Sequence, residues 1–147
     1  MNLSDKSELN NKRILSIDYG LKRTGIAVCD EFHITVTPLE VLDSTAESFL
    51  DRIIEIAGTR SVSAIVVGVP YRLDGEQTEL IQKIEEFINV LKERIKLPIY
   101  EIDESYSTVN ATKTLISIGR KKKKRSTKGE KDKIAAAIIL RDFLEEN

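Results

Sequence analysis

The chain has 147 residues, which suits one domain large enough to bury a hydrophobic core. Its 23 basic and 24 acidic residues leave a formal net charge of −1, so net charge alone selects neither a nucleic acid nor a membrane as partner. No apolar run approaches the roughly 18 residues of a membrane-spanning helix, and the polar start lacks the apolar core of a signal peptide. With a single cysteine, Cys29, no disulfide framework forms within the chain, and we expect a cytoplasmic protein.

Residues 1–12 are predicted to form a flexible tail, followed by one domain over 13–147. The domain opens with strands at 14–19 and 24–29, which we expect to pair as an antiparallel hairpin through the turn at Gly20. A third strand is predicted at about 32–42. There Pro38 marks an edge or a break, because proline cannot donate a ladder hydrogen bond.

Helices and strands alternate in the rest of the chain. The capping box at 44–47, with Ser44 first and Glu47 three residues on, predicts the start of a helix that ends at Gly58. The apolar run 64–67 predicts a buried parallel strand that breaks at 68–70. The remaining predicted elements are a helix around 80–91, a strand at 99–102, a helix that opens at Ser107 or Thr108 and ends at Gly119, and a last helix at about 130–145.

This order of elements predicts an α/β fold. We expect a mixed five-stranded sheet, with three antiparallel strands followed by two parallel ones, and helices on both faces.

Acidic residues from three segments are predicted to meet at one edge of this sheet. Asp18 ends the first strand, and Asp103 and Glu104 end the last one, where ligands of open α/β sheets gather. Asp132 falls on the apolar face of the last helix, and we expect it to point toward the same edge. Clustered carboxylates repel one another unless a cation binds, and oxygen ligands select Mg²⁺ or Mn²⁺. For Asp18 considered alone, an equally good interpretation is that its carboxylate caps the turn that follows instead of binding a cation.

A dense group of basic residues precedes Asp132. It consists of Arg120, Lys121, Lys122, Lys123, Lys124, Arg125 and Lys128. The remainder of the chain is acidic in balance, so this basic segment is the concentrated positive charge that can attract a phosphate backbone. A solvated loop without a partner is the alternative interpretation.

Four groups of short motifs resemble, in order, those of the YqgF/RuvX family. They are Ile17-Asp18-Tyr19-Gly20 with Lys22-Arg23 and Gly25-Ile26-Ala27-Val28; Val66-Val67-Gly68-Val69-Pro70 with Asp74-Gly75; Asp103-Glu104 with Ser107-Thr108; and Lys131-Asp132 with Ala135-Ala136 and Ile139-Leu140. The resemblance covers about residues 14–144. It implies an RNase H-like fold, in a family described as pre-16S rRNA processing nucleases or as Holliday-junction-resolvase-like proteins.

The resemblance also implies a mechanism. Asp18, Glu104 and Asp132 are expected to be both the catalytic residues and the metal ligands, with Asp103 left open as an alternative to Glu104. Two Mg²⁺ or Mn²⁺ ions would activate a water and stabilise the leaving oxygen of a phosphodiester. The family usually carries Arg after Asp-Glu, and Ser105 stands there in this chain. Contacts with substrate phosphates are therefore assigned to Lys22, Arg23 and the basic segment.

The expected function is a nuclease that processes the 5′ end of pre-16S rRNA during ribosome biogenesis. A Holliday-junction resolvase and a nucleic-acid-binding module without catalysis are the alternatives. An ATP-using enzyme of the actin and sugar-kinase type is disfavoured, because such enzymes close two domains over the nucleotide. The sequence leaves open whether the substrate is RNA or branched DNA, and whether the protein is a monomer or a homodimer.

Overall fold

The structure is a computed structural model that describes residues 7–70, 78–103 and 128–145, with side chains over 8–70, 79–103 and 133–145. A short 3₁₀ turn, Ser7–Leu9, precedes the first strand. The strands are β1 Ile14–Asp18, β2 Arg23–Cys29, β3 Val36–Asp43, β4 Ala64–Val69 and β5 Ile99–Asp103, and the helices are α1 Phe49–Thr59, α2 Thr78–Arg94 and α3 Lys128–Glu145.

The strands form one mixed sheet in the order β3-β2-β1-β4-β5. β1 pairs antiparallel with β2, and β2 pairs antiparallel with β3. On the other side, β4 runs parallel to both β1 and β5. The predicted mixed sheet and its hairpin are therefore confirmed. The central position of β1 explains why Ile14, Leu15, Ser16 and Ile17 are all fully buried, and the mostly apolar sequence of the strand fits burial on both faces.

Helices cover both faces of the sheet, as predicted. Leu15 and Ile17 point to one face and belong to a core formed with α1 and α2. Ile14 points to the other face and packs with Ile139 and Phe143 of α3. Successive residues of a strand face opposite sides, so β1 contributes to both cores.

The third strand begins later than predicted, at Val36 rather than near residue 32. The reason lies in Asp30, whose carboxylate Oδ1 accepts hydrogen bonds from the backbone N–H groups of Ile34 and Thr35, both at 2.8 Å. These bonds close the β2–β3 connection into a turn. Pro38 lies on the edge strand, next to a register shift in the pairing with β2. This confirms the prediction of an edge position, which followed from the missing N–H of proline.

The predicted capping box is wrong. Helix α1 begins at Phe49 with Ser48 as N-cap, and Ser48 makes no side-chain cap hydrogen bond. The Ser44 hydroxyl instead hydrogen-bonds the Thr24 hydroxyl at 2.7 Å. A tertiary contact therefore uses the hydroxyl that the local pattern predicted as the helix cap. The helix also continues through Gly58 and ends at Thr59.

Strand β4 does not break at residue 68. Gly68 pairs with Ile102 and Val69 pairs with Asp103, so the ladder with β5 continues to the end of both strands. The predicted helix at 107–118 and the turn at Asp74-Gly75 lie outside the described residues. Within the described ranges, no helix has the length and apolar character needed to cross a membrane.

Candidate active site

Asp18 is the last residue of β1 and is half-buried. It shares a face of the sheet with Ile14 and Ser16, because residues two apart on a strand point the same way. That face is covered by α3, since the Ser16 hydroxyl donates a 2.7 Å hydrogen bond to the backbone carbonyl of Ala136. The Asp18 carboxylate therefore belongs to the side of the sheet on which α3 lies.

Glycines flank Asp18 on both neighbouring strands. Asp18 pairs with Gly25 of β2. On the other side Ile17 pairs with Val67, which brings Gly68 beside Asp18. Neither glycine has a side chain to fill the α3 face of the sheet around the carboxylate. A carboxylate oxygen next to two positions without side chains suits a divalent cation, which binds oxygen ligands and keeps some of its waters.

Helix α3 runs antiparallel to β1. Ile14, at the start of β1, packs with Ile139, whereas Ser16 contacts Ala136 further along the strand. Asp132 precedes Ala136 by about one helical turn, or roughly 5.4 Å along the axis. The backbone of Asp132 therefore lies toward the carboxyl end of β1, where Asp18 is, while its side chain is outside the described part of the structure.

The end of β5 reaches the same edge of the sheet. Ile102 faces α3, because it belongs to the core formed with that helix. Asp103 follows it and pairs with Val69, a residue of the opposite core, so the strand alternation directs Asp103 to the face of α1 and α2. Glu104 lies outside the described residues.

The structure thus brings the three predicted segments to one edge but does not describe all three carboxylates. Among the side chains it does describe, no three His, Cys, Asp or Glu residues are grouped as a metal site. The set of Asp18, Glu104 and Asp132 stays a prediction.

The β1–β2 turn beside Asp18 is held by backbone and hydroxyl contacts. A Cβ added to Gly20 would collide with the backbone oxygen of Arg23, so the turn requires glycine here. The Ser44 N–H donates to the Lys22 carbonyl at 3.0 Å, which ties the turn to the end of β3.

Lys22 and Arg23 are exposed and line a groove of about 570 Å³ together with Asp43. Of the other predicted nucleic-acid contacts, residues 120–125 are outside the described chain, as is the side chain of Lys128.

Tyr19 packs into the opposite face. Its ring stacks on Phe87 with centroids 4.7 Å apart and lies 6.1 Å from Phe49. Burial, with a smaller effect of the Glu86 charge, raises the pKa of Tyr19 above its ordinary value. Tyr19 therefore packs against the core and anchors the chain directly after Asp18. Tyr71 and Tyr106, which also lie next to the motifs, are outside the described residues.

Cys29 is a buried structural residue. Burial raises the pKa of its thiol, so the reactive thiolate is disfavoured.

Comparison with known proteins decides the family. The family model described as RuvX, Holliday junction resolvase, matches residues 12–146. The chain belongs to the RuvX family. A Bacteroides fragilis protein named "Putative pre-16S rRNA nuclease" is 39% identical to this RuvX chain over 134 residues, covering 90% of this chain and 96% of the relative. A relative of the same name from Endomicrobium trichonymphae is 37% identical over 137 residues, covering 90% and 95%.

Solved structures confirm the fold of this RuvX protein. Thermus thermophilus RuvC in complex with a Holliday junction substrate superposes with a TM-score of 0.59 at 20% identity, covering 88% of this chain and 91% of RuvC. The Fowlpox virus resolvase, solved with Holliday junction DNA, gives a TM-score of 0.52 at 15% identity, covering 91% and 99%. The RNase H-like fold and membership in a family of nucleases, both predicted from the motifs, are confirmed.

Sequence reasoning missed two features of the candidate site. The flanking position of Gly25 and Gly68 was not recognised, although both glycines lie inside otherwise apolar strands, where a glycine often marks a close approach or an open site. The second missed feature is the partner of Ser16 on the last helix. A lone hydroxyl in a buried strand needs a hydrogen-bond partner, and that requirement was the available signal.

Proposed function

We propose that this protein is a metal-dependent endonuclease that hydrolyses phosphodiester bonds of structured nucleic acid. The observation that carries this proposal is the position of Asp18, at the carboxyl end of the central strand and between two glycines. Helix α3 supports it by bringing the backbone of Asp132 to the same edge.

Asp18, Glu104 and Asp132 would hold Mg²⁺ or Mn²⁺. When bound, the metal ions supply a water activated for attack and stabilise the leaving oxygen. Asp18 is suited to the central ligand position because it pairs with Gly25 at the end of a strand that is paired on both sides. The alternation in β5 favours Glu104 over Asp103 as second ligand, since Asp103 falls on the face opposite Asp18.

The substrate we propose is the precursor of 16S rRNA, cut near its 5′ end during ribosome biogenesis in the cytoplasm. The names of the relatives that align with nearly the whole chain support this choice. The second candidate substrate is a Holliday junction, which the description of the family model favours. Lys22, Arg23 and the basic segment would contact substrate phosphates in either case, and residues 13–147 would act as one domain.

The deciding experiment is a cleavage assay with Mn²⁺ or Mg²⁺ on pre-16S rRNA fragments and on four-way DNA junctions. The wild-type chain is compared with Asp18→Asn, which keeps the shape of the side chain but removes its charge. The matched control is Glu93→Gln, an equivalent change at an exposed position of α2. We expect Asp18→Asn to lose cleavage by orders of magnitude and the control to keep it. Equal cleavage by wild type and Asp18→Asn would remove Asp18 from the mechanism.

A further inference from the structure

The connection between β2 and β3 presents two large apolar side chains to solvent. Phe32 is 66% exposed and Ile34 is 72% exposed, the highest values among the large hydrophobic residues that the structure describes. Single exposed apolar residues are ordinary on protein surfaces, whereas two together in one short turn point to a contact surface.

Hydrogen bonds hold this turn in the conformation that exposes them. Asp30 Oδ1 accepts hydrogen bonds from the N–H groups of Ile34 and Thr35, and the His33 N–H donates to the Asp30 carbonyl at 3.1 Å. Between the two apolar residues, His33 adopts a left-handed backbone with φ of 59°. A left-handed conformation is unfavourable for a residue other than glycine and persists where the surroundings enforce it.

Basic residues lie along the same edge of the sheet as the turn. The His33 ring donates through Nε2 to the Lys12 carbonyl at 2.8 Å, which fastens the turn to the segment before β1. The next residue, Arg13, lines a depression of about 490 Å³ together with Arg60. Lys12, Arg13 and Arg60 are all exposed, against the two carboxylates of the turn, Asp30 and Glu31, and Glu40, which interacts with Arg60. The Asp30 carboxylate is also engaged by the two N–H groups of the turn.

We propose that this surface binds an unpaired flank of the nucleic-acid substrate. It is called the amino-edge surface below and consists of Lys12, Arg13, Phe32, Ile34 and Arg60. Phe32 stacks on an exposed base, and the three cations contact phosphates of the same strand, a combination suited to single-stranded nucleic acid. The proposal rests on the proposed function for taking nucleic acid as the ligand.

The amino-edge surface lies at the edge of the sheet opposite Asp18. Cys29 ends β2 beside the start of β1, and Arg13 directly precedes β1. Because β1 has 5 residues, a rise of about 3.3 Å per residue separates the two edges by at least roughly 16 Å along the sheet. A stacked strand needs about five or more nucleotides, at 3.4 Å each, to cover that distance. The inferred substrate is therefore a duplex or hairpin with an unpaired flank that reaches at least that far from the cleaved bond.

The test measures equilibrium binding by fluorescence anisotropy in EDTA, so that no cleavage is needed. The probes are an RNA hairpin with an unpaired flank and the same hairpin trimmed blunt. We expect Phe32→Ala to weaken binding of the flanked hairpin by about 5- to 150-fold, the effect of losing one base–aromatic stack, and to leave the blunt hairpin unaffected. Phe32→Tyr keeps the ring and should bind like wild type. Arg13→Ala with Arg60→Ala should flatten the salt dependence for the flanked hairpin only.

Val90→Ala is the matched control, because Val90 is a 41% exposed apolar residue on α2. It should bind both hairpins as wild type does. Equal binding of the flanked hairpin by wild type and Phe32→Ala would overturn the proposal. A change in the oligomeric state of Phe32→Ala without a change in binding would also overturn it, in favour of contact between copies of the chain.

Failure of this inference is distinguishable from failure of the proposed function. A protein that binds the flank through Phe32 but cleaves no substrate with Mn²⁺ would keep the inference and lose the nuclease. A protein that cleaves with Mn²⁺ but binds the flanked and blunt hairpins equally would keep the nuclease and lose the inference.

Discussion

The hydroxyl of Ser16 donates a 2.7 Å hydrogen bond to the backbone carbonyl of Ala136, and thereby joins the central strand to the last helix across 120 residues of sequence. Ser16 is fully buried and lies two residues before Asp18. Ala136 lies four residues after Asp132. One bond therefore links the two elements that carry these acidic residues.

Ser16→Ala removes this bond. We expect a loss of about 0.5–1.5 kcal/mol in the free energy of unfolding, the usual net contribution of one hydrogen bond, measured by urea denaturation. Cleavage should fall further than this stability loss explains, because α3 would no longer be held in register with β1. Ser48→Ala is the control, since the Ser48 side chain makes no cap bond to α1. Unchanged stability and cleavage in Ser16→Ala would show that packing alone sets the register.

Metal binding should stabilise the wild-type fold. A ligand at 100 times its Kd adds about 2.7 kcal/mol to the stability of the native state, so Tm should rise with Mn²⁺ concentration. Asp18→Asn should lose this rise, while its metal-free stability stays the same or increases because repulsion between carboxylates is relieved. Glu93→Gln should behave as wild type. The metal-site interpretation fails if Mn²⁺ raises the Tm of Asp18→Asn as much as that of the wild type.

Two glycines offer a matched pair of substitutions. Gly20→Ala places a Cβ against the Arg23 backbone oxygen, which cannot move without distorting the turn after Asp18. We expect a cost of about 1–3 kcal/mol and a loss of cleavage. Gly58→Ala meets nothing within 4 Å and lies in α1, so it should stabilise by about 0.5–1 kcal/mol with cleavage unchanged. Thermal denaturation and the cleavage assay check both, and a neutral Gly20→Ala would contradict the described turn.

The ion pair between Glu40 and Arg52 should make stability depend on pH. Arg52 donates to both Glu40 oxygens, at 2.6 and 2.9 Å, and these bonds hold the Glu40 pKa below its ordinary value of 4.5. A carboxylate with a lowered folded-state pKa adds stability above its unfolded pKa, and this is lost as pH falls through the folded value. Glu40→Gln should therefore cost up to about 1 kcal/mol at neutral pH, a modest amount because the pair is partly exposed.

The corresponding measurement is urea denaturation of wild type and Glu40→Gln at neutral pH and well below 4.5. The difference between the two proteins should shrink in acid. A difference that stays constant with pH would mean that the pair contributes through packing rather than charge.

The basic segment should govern the salt dependence of substrate binding. Replacement of Lys121, Lys122, Lys123 and Lys124 by Ala should weaken binding to duplex probes of any sequence. Each lost phosphate contact should lower the slope of log K against log salt by about 0.9. Lys83→Ala and Lys92→Ala, at exposed positions of α2, serve as controls. A slope equal to that of wild type would exclude the segment as a phosphate contact.

Local sequence pattern was sufficient for much of the fold. Alternation and apolar runs predicted all five strands, and the order of elements predicted the mixed sheet with helices on both faces. The pattern was reliable there because burial of one or both strand faces leaves a direct mark on residue type. It failed at Ser44 and Gly68, where a hydroxyl contact with Thr24 and a ladder with β5 outweigh the local signal.

The sequence by itself determined that this chain has an acidic residue at the end of its first strand, another acidic pair at the end of its last, and the motifs of one nuclease family. Only the tertiary structure decided which face each residue takes. Asp18 and Asp103 both end strands, yet the pairing of Val69 with Asp103 directs the latter away from α3. Register between distant strands, and the bond that aligns α3 with β1, depend on contacts between residues far apart in the chain, and local sequence does not encode such contacts.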